Sequence, residues 1–240
     1  NGNRQLNVVC HTGGEFYKSE VETWKSKGYV AKEESQNQVV LEKTEKNPDG
    51  EEIVIRLKMV RGAAGTFDDM SDKDTHIVAY SGHSGWGKKM PKALKNAPDA
   101  EGVKKLMVIN QCCGQGIINK VRDKYPNGDL MTTRYSSYES EDHFALNTLL
   151  TGVVDKSCWE SIHHNIAMPW ENDRNNYITP ADEFTRIKTR DRDHDGKADI
   201  LDRLYDFNTF DVQKDTDEAF KAQPASRRDE VLSGDRVHNS

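Results

Sequence analysis

The sequence has little of what defines several large classes of protein. Only four of its 240 residues are cysteine, too few for a disulfide-built scaffold. No apolar run approaches the roughly 20 residues of a transmembrane helix. With a net charge of −6 and no dense basic cluster, the chain is not expected to bind nucleic acid or an anionic membrane. What remains is a very polar globular protein, long enough to bury a sizeable core.

The positions of the cysteines argue against both a disulfide framework and a zinc site. The four lie at Cys10, Cys112, Cys113 and Cys158. A disulfide between adjacent residues is strained, so Cys112 and Cys113 are not expected to bridge each other. No pair has zinc-site spacing with flanking histidines. A reduced thiol with a chemical role is therefore at least as plausible as a structural bridge.

Apolar segments along the chain predict strands that alternate with helices. Strands are expected at residues 6–10, 38–42, 52–59, 76–80, 106–110 and 130–135. Helices are expected at residues 19–27, 117–124 and, as one long or broken helix, 142–167. The turn signal Asn47-Pro48-Asp49-Gly50 predicts that the second and third strands form a hairpin. This alternation indicates an α/β fold with a mostly parallel sheet and helices on both faces.

The composition of the chain shifts after Trp170. From Glu171 to the end the sequence is rich in Asp, Asn and Arg and contains few apolar residues. Such a segment buries little surface and is not expected to extend the α/β core. We therefore expect an α/β domain over residues 1–170 and a polar C-terminal segment over residues 171–240.

Two short polar stretches follow two of the predicted strands. Tyr80-Ser81-Gly82-His83-Ser84-Gly85 ends the strand at 76–80, and Gln111-Cys112-Cys113-Gly114-Gln115-Gly116 follows the strand at 106–110. About thirty residues separate the two, enough for a loop and a crossover helix, so the strands are expected to be parallel neighbours. Parallel neighbours would bring the histidine and the cysteines to the same edge of the sheet.

A histidine and a cysteine at one sheet edge suit nucleophilic catalysis. A free thiol is mostly protonated near neutral pH, and an adjacent imidazole takes its proton or stabilises the thiolate. Cys113 is expected where a strand passes into a helix, and Gly114 and Gly116 allow a sharp turn with N–H groups free to face an oxyanion. His83 lies in the corresponding turn after its own strand. The pair indicates a cysteine peptidase.

The two stretches resemble the signatures of the caspase-like (clan CD) cysteine peptidases. Metacaspases carry Tyr-Ser-Gly-His-Gly at the histidine and Asp-Ser-Cys-His-Ser-Gly at the cysteine, where caspases carry Gln-Ala-Cys-x-Gly. The resemblance extends over residues 5 to about 165, with specific motifs only at the two strand ends. It implies a caspase-like endopeptidase in which Cys113, rather than Cys112, is the nucleophile and His83 the general acid and base.

The same resemblance implies how a peptide or protein substrate would be held. The N–H of Cys113 and that of Ser84 or Gly85 are expected to form the oxyanion hole. Residues expected to line the substrate pocket are Gln111, Ser136 and Ser137.

Two residues depart from the family pattern. Ser84 takes the place of the glycine that usually follows the histidine, and its side chain would crowd that turn. Gln111 takes the place of the metacaspase aspartate that attracts a basic P1 side chain, and resembles the caspases there. The sequence therefore does not support an arginine- or lysine-specific pocket.

A serine hydrolase is the first alternative. Residues 82–86 approach the nucleophile elbow Gly-His-Ser-x-Gly, although Trp86 takes the place of the second glycine. Residues 11–14 would then supply an oxyanion loop, and His163 or His164 the base. This hypothesis makes Ser84 essential and Cys113 dispensable. A catalytically inactive calcium-binding or adhesion module is the second alternative.

An acidic loop near the end of the chain has the spacing of a calcium site. Carboxylates at positions 1, 3, 5, 9 and 12, a glycine at position 6 and a carbonyl at position 7 supply the hard oxygens that Ca²⁺ needs. The expected ligands are Asp191, Asp193, Asp195, the carbonyl of Lys197, Asp199 and Asp202. Asp at position 12 resembles dockerin and thrombospondin type 3 loops. A single loop of this kind suits extracellular calcium, and with a chain that opens on Asn1 it suggests a secreted or periplasmic protein.

Overall fold

The computed structural model describes residues 4–100, 102, 104–167 and 176–180. In these residues eight strands and five α-helices follow one another. The strands are β1 (Arg4–Thr12), β2 (Val30–Glu34), β3 (Gln38–Lys46), β4 (Glu52–Arg61), β5 (Ile77–Ser81), β6 (Leu106–Asn110), β7 (Asp129–Thr133) and β8 (Tyr177–Ile178). The helices are α1 (Tyr17–Ser26), α2 (Lys89–Asn96), α3 (Ile118–Lys124), α4 (Glu139–Val154) and α5 (Trp159–Ala167).

The eight strands form one sheet in the order β2-β3-β4-β1-β5-β6-β7-β8. The five central strands, β4, β1, β5, β6 and β7, run parallel to one another. Antiparallel pairing occurs only toward the two ends, where β2, β3 and β4 form a meander and β8 pairs with β7. The predicted α/β class with a mostly parallel sheet is confirmed.

The sheet buries residues on both of its faces, as expected for parallel strands. On one face, alternate residues such as Val8, Ile77 and Val108 pack in one core with residues of α1, α4 and α5, including the fully buried Trp24. The intervening strand residues are buried as well, so the opposite face is also covered. The crossover helices α2 and α3 contact each other.

Most predicted elements are present, and two strands were not predicted. The long or broken helix expected at 142–167 is broken into α4 and α5, and Lys156 between them has a positive φ of 55°. The sequence did not predict β2, whose residues are almost all exposed. It also did not predict β8, which lies beyond the expected boundary at residue 170 and bonds to β7.

Two further expectations concern the C-terminal segment and membranes. The predicted calcium loop at residues 191–202 lies outside the described residues. Within the described part of the chain, none of the helices has both the length and the apolar character needed to cross a membrane.

Candidate active site

The ends of β5 and β6 bring the two polar stretches to one edge of the sheet. The strands are parallel neighbours, as predicted, and Ser81 is the register partner of Asn110. Beyond the last pair, the N–H of Gly82 donates to the carbonyl of Asn110 at 3.1 Å. His83 therefore lies two residues beyond Ser81, and Cys113 lies three residues beyond Asn110, so both residues come just after the shared edge.

The turn that carries His83 requires glycine at position 82. Gly82 has a φ of +147°, and a Cβ there would lie 2.9 Å from the Tyr80 hydroxyl and 3.0 Å from the Gly13 nitrogen. The Tyr80 hydroxyl donates to the carbonyl of His83 at 2.8 Å. This bond and the close approach of the loop after β1 fix the backbone of the histidine.

The side chain of His83 lies between an aromatic ring and a carboxylate from the loop after β1. Its ring contacts that of Phe16 edge to face, with 4.9 Å between the centroids. Its Nε2 is 3.8 Å from Oε1 of Glu15. Lys89 reaches the same oxygen at 3.9 Å. The imidazole is partly exposed and faces an acid, the arrangement that orients an imidazole and stabilises its charged form.

Cys113 has a strained backbone conformation. Its φ of 56° and ψ of 43° lie in the left-handed region, which residues other than glycine rarely adopt. Such strain persists where the surroundings determine the conformation, and it is concentrated at functional sites. The N–H of Cys113 donates to the carbonyl of Tyr135 at 2.9 Å, and its own carbonyl accepts from Gly116 at 3.2 Å.

The residue after the cysteine packs directly against β7. A Cβ on Gly114 would fall on the hydroxyl of Thr132, and would lie 2.9 Å from that of Thr133 and 3.0 Å from the carbonyl of Ile109. The Gly114 N–H donates to the Thr133 hydroxyl at 3.1 Å, and this hydroxyl donates to the carbonyl of Gln111. The cysteine turn is therefore held against β7 by close packing on Thr132 and Thr133 and by the hydrogen bond to Thr133.

The predicted oxyanion donors differ in their hydrogen bonds. The amides of Ser84 and Gly85 have no acceptor within the described residues. The amide of Cys113 is already bonded to Tyr135. Its use as an oxyanion donor, as the sequence predicted, therefore requires that this bond be exchanged for one to the substrate.

The three residues expected in the substrate pocket have different surroundings. Gln111 is buried, and its Oε1 has no hydrogen-bond partner in the described part of the chain. Ser136 is exposed, and its carbonyl accepts from Asn176 at 3.0 Å. Ser137 is buried, and its side chain is bonded to Asp142. Gln111 thus retains hydrogen-bonding capacity beside the cysteine turn.

The other cysteine of the pair has a different position. Cys112 is partly buried, and its thiol lies 3.9 Å from the carbonyl of Ser137 as a weak donor. It has no positive φ, so the strained conformation belongs to Cys113.

The residues of the serine-hydrolase alternative have other partners. The hydroxyl of Ser84 accepts from the Gly87 amide at 3.4 Å, and the φ of Ser84 is not positive. His11 is buried beside the carbonyl of Gly62, and burial lowers its pKa. His163 on α5 is 2.9 Å from the hydroxyl of Thr179. The left-handed conformation typical of a nucleophile elbow is thus found at Cys113 and not at Ser84, although Trp86 in the Ser84 loop also has a φ of 58°.

A buried carboxyl group lies behind the cysteine turn. Asp142 on α4 accepts from the hydroxyl of Tyr177 at 3.1 Å and from the side chain of Ser137, and its carbonyl accepts from Asn110 at 3.2 Å. Burial raises the pKa of Asp142 well above its usual range. This group links β6, α4 and β8 under the site.

Two further observations bear on the class of the protein. In residues 4–167 and 176–180, apart from 101 and 103, no group of three or more His, Cys, Asp or Glu side chains is placed to hold a metal ion. Compared with models of protein families and with curated proteins, the chain matches none of them. The class that the fold defines is an α/β protein with polar loops at the carboxyl edge of its parallel strands, where α/β folds usually place their sites.

Two residues of this region were missed by sequence reasoning, Glu15 beside His83 and the buried Glu20 on α1. Glu15 follows the strand β1, so the strand-end rule that found His83 and Cys113 also applies to it. Glu20 lies on the buried stripe of α1 with Tyr17, Val21 and Trp24. The signal in the sequence that could have revealed Glu20 is a carboxylate at a position where the helical spacing predicts an apolar residue.

Proposed function

We propose that the protein is a caspase-like cysteine endopeptidase with Cys113 as nucleophile and His83 as general acid and base. The observation that carries the proposal is the parallel pairing of β5 and β6, which ends at Ser81 and Asn110 and places both loops at one edge. The strained backbone of Cys113 supports its choice as the nucleophile.

In the proposed reaction the Cys113 thiolate attacks the carbonyl carbon of the scissile peptide bond. The carbonyl π electrons move to oxygen, and the amides of Ser84 and Gly85 donate hydrogen bonds to the oxyanion. His83 holds the proton of the thiol and passes it to the leaving amine as the C–N bond breaks. Water, deprotonated by His83, then attacks the thioester, which releases the acid and restores the thiol.

Glu15 has a supporting part in this proposal. Its carboxylate, 3.8 Å from Nε2 of His83, favours the imidazolium that forms while the histidine carries the proton. Phe16 contacts the same ring edge to face. The acid therefore acts through the histidine and is not expected to touch the substrate.

Alkylation by iodoacetamide, followed by peptide mapping, tests the assignment. Cys158 is exposed and therefore open to alkylation, so Cys158→Ser serves as the background for every variant. We expect fast labelling of Cys113 near neutral pH, loss of peptide hydrolysis in Cys113→Ala, and retained hydrolysis in Cys112→Ala and Ser84→Ala.

Three results would separate the alternatives. Labelling that survives Cys113→Ala but disappears in Cys112→Ala would overturn the choice of nucleophile. Hydrolysis that survives Cys113→Ala but not Ser84→Ala would indicate a serine hydrolase. The absence of both fast labelling and turnover in every form of the protein, with calcium present, would favour a binding module.

A further inference from the structure

Glu20 joins the ends of two neighbouring strands. Thr12 and Ser81 are register partners and end β1 and β5. Oε2 of Glu20 accepts from the Thr12 hydroxyl at 3.1 Å, and Oε1 accepts from the Ser81 hydroxyl. One carboxylate on α1 therefore bridges a register pair, with one oxygen for each strand. The residue is only 2% exposed, so water does not compete for these bonds.

The two bridged residues lead directly into the loops of the site. Thr12 is followed by the loop that carries Glu15, and Ser81 by the loop that carries His83. The Gly13 amide donates to the Ser81 carbonyl at 2.8 Å, so the loops are joined by backbone as well. The loops that carry Glu15 and His83, whose side chains are 3.8 Å apart, thus begin at the two strand ends that Glu20 bridges.

We propose that Glu20 is a positioning residue: its carboxylate holds the ends of β1 and β5 together and so keeps the Glu15 carboxylate beside the His83 imidazole. The inference deepens the proposed peptidase function, and its effect on catalysis rests on that function. The bridge itself is a separate claim about geometry and has its own readout.

The surroundings of Glu20 contain acids and no bonded cation among the described residues. The titratable groups that face it are Cys10 on β1, Tyr80 on β5, and Glu139 and Asp142 on α4. Burial, with the charge of Glu139 adding to it, raises the pKa of Glu20 to about 7. The carboxyl therefore changes charge near neutral pH, and its ionised form accepts both hydroxyl bonds more strongly.

Three variants test the bridge, each in the Cys158→Ser background. Glu20→Gln keeps a group of the same shape that can bond both hydroxyls but cannot ionise. Ser81→Ala removes one bond with little change of volume, and Glu20→Ala removes both. Glu139→Gln is the matched control, because Glu139 is a neighbouring carboxylate that accepts from Ser19 at 2.5 Å and touches neither strand end.

The first readout is the rate of Cys113 alkylation between about pH 5 and pH 9, a range that brackets the titration of Glu20. We expect the wild-type profile to contain a step near pH 7 that is absent in Glu20→Gln. In Glu139→Gln the step should be retained at a somewhat lower pH, because the charge of Glu139 helps to raise the pKa of Glu20. In Ser81→Ala and Glu20→Ala the alkylation rate and kcat should fall about 10-fold with KM unchanged, because a small misplacement of the His83 imidazole slows the chemical step. A merely structural role would lower stability and leave the shape of the profile unchanged.

The second readout is the NMR signal of the His83 ring, which does not depend on any reaction. It should shift in Glu20→Ala and Ser81→Ala and stay in place in Glu139→Gln. Unchanged ring signals in both Glu20→Ala and Ser81→Ala would overturn the bridge. Superimposable pH profiles of wild type and Glu20→Gln would overturn the part played by the ionisation of Glu20. If no peptide is hydrolysed but the ring signals shift as expected, the peptidase proposal fails and the bridge is retained.

Discussion

The amide of Cys113 donates to the carbonyl oxygen of Tyr135 at 2.9 Å, so the proposed nucleophile is held by the loop that follows β7. The Tyr135 side chain is 57% exposed on that loop. A substrate strand bound along the loop would compete for this bond and would free the Cys113 amide for the oxyanion. The oxyanion hole would then be completed by substrate binding.

Replacement of Gly114 by alanine should destabilise the fold. The new Cβ would meet the hydroxyls of Thr132 and Thr133 and the carbonyl of Ile109, all of which belong to strands or to their tight connections. Overpacking of this kind costs about 1 to 3 kcal/mol. Urea unfolding measures the loss. Gly116→Ala is the control, because its Cβ would meet nothing within 4 Å, and equal losses in the two variants would contradict the packing argument.

The left-handed conformation of Cys113 predicts that glycine is more stable than alanine at this position. Glycine adopts this conformation without the Cβ clash, which costs roughly 1 to 2 kcal/mol for other residues. The free energy of unfolding of Cys113→Gly, measured in urea, should therefore exceed that of Cys113→Ala by about 1 kcal/mol. Both variants lose alkylation at this position. A Cys113→Gly protein less stable than Cys113→Ala would show that the strain is absent.

Removal of the Glu15 charge should slow hydrolysis and leave the fold intact. Glu15→Gln keeps the shape of the side chain but no longer favours the His83 imidazolium 3.8 Å away. We expect kcat/KM to fall about 10-fold, within the usual contribution of general acid–base catalysis. Glu22→Gln, on the exposed side of α1, is the control. If the two variants hydrolyse peptide at the same rate, Glu15 has no part in the reaction.

Glu20 should make the stability of the fold depend on pH. Its pKa is about 7 when folded and close to 4.3 when unfolded, so folding favours its protonated form. Its contribution is complete below about pH 4 and is lost as the pH rises to 7, a change of roughly 3 kcal/mol. Glu20→Gln cannot lose a proton. Its stability relative to wild type should therefore increase over this range in urea unfolding.

The comparison of wild type with Glu20→Gln also cancels the effect of His143, whose contribution to stability changes with pH in the opposite direction. Burial lowers the pKa of His143 to about 4, so its neutral form stabilises the fold above about pH 6.5, and this contribution is lost as the pH falls toward 4. The histidine is present in both proteins, and its contribution cancels in the difference. A difference that does not change between pH 4 and pH 7 would contradict the buried-carboxyl argument.

The acidic loop predicts calcium binding with a stabilising effect. Ca²⁺ that binds the folded chain raises its free energy of unfolding by RT ln(1 + [Ca²⁺]/Kd), about 2.7 kcal/mol at a hundredfold excess over Kd. Isothermal titration calorimetry should show one site that is lost in Asp193→Asn and Asp195→Asn. Magnesium is the control ion, because it fits a loop of six to eight oxygens poorly. Equal binding of both ions, or binding that survives both substitutions, would contradict the prediction.

The sequence predicted the strands of the site more readily than their order. His83 and Cys113 could be placed at one edge because β5 and β6 are consecutive parallel strands, and the structure confirms this pairing. Glu15 also follows a strand end, but its place beside His83 could not be predicted, because β2, β3 and β4 lie between β1 and β5 in the sequence. Local sequence contains no signal for that order.

The bond of Cys113 to Tyr135 and the bridge by Glu20 were also beyond sequence reasoning. The first is a backbone contact between two loops and does not depend on side-chain type. The second needs α1 to lie over the ends of β1 and β5, which is a property of the packed fold. The edge strand β2 was missed because its polar, exposed residues do not alternate.

Capture of the nucleophile tests the central claim most directly. The protein, with Cys158→Ser as background and calcium present, is incubated with a set of peptidyl acyloxymethyl ketones, and adducts are located by mass spectrometry of the digested chain. The account predicts a single thioether at Cys113, lost in Cys113→Ala and strongly reduced when His83 is replaced by alanine. An adduct at Cys112 or at Ser84, or no adduct with any peptide in the set, would contradict it.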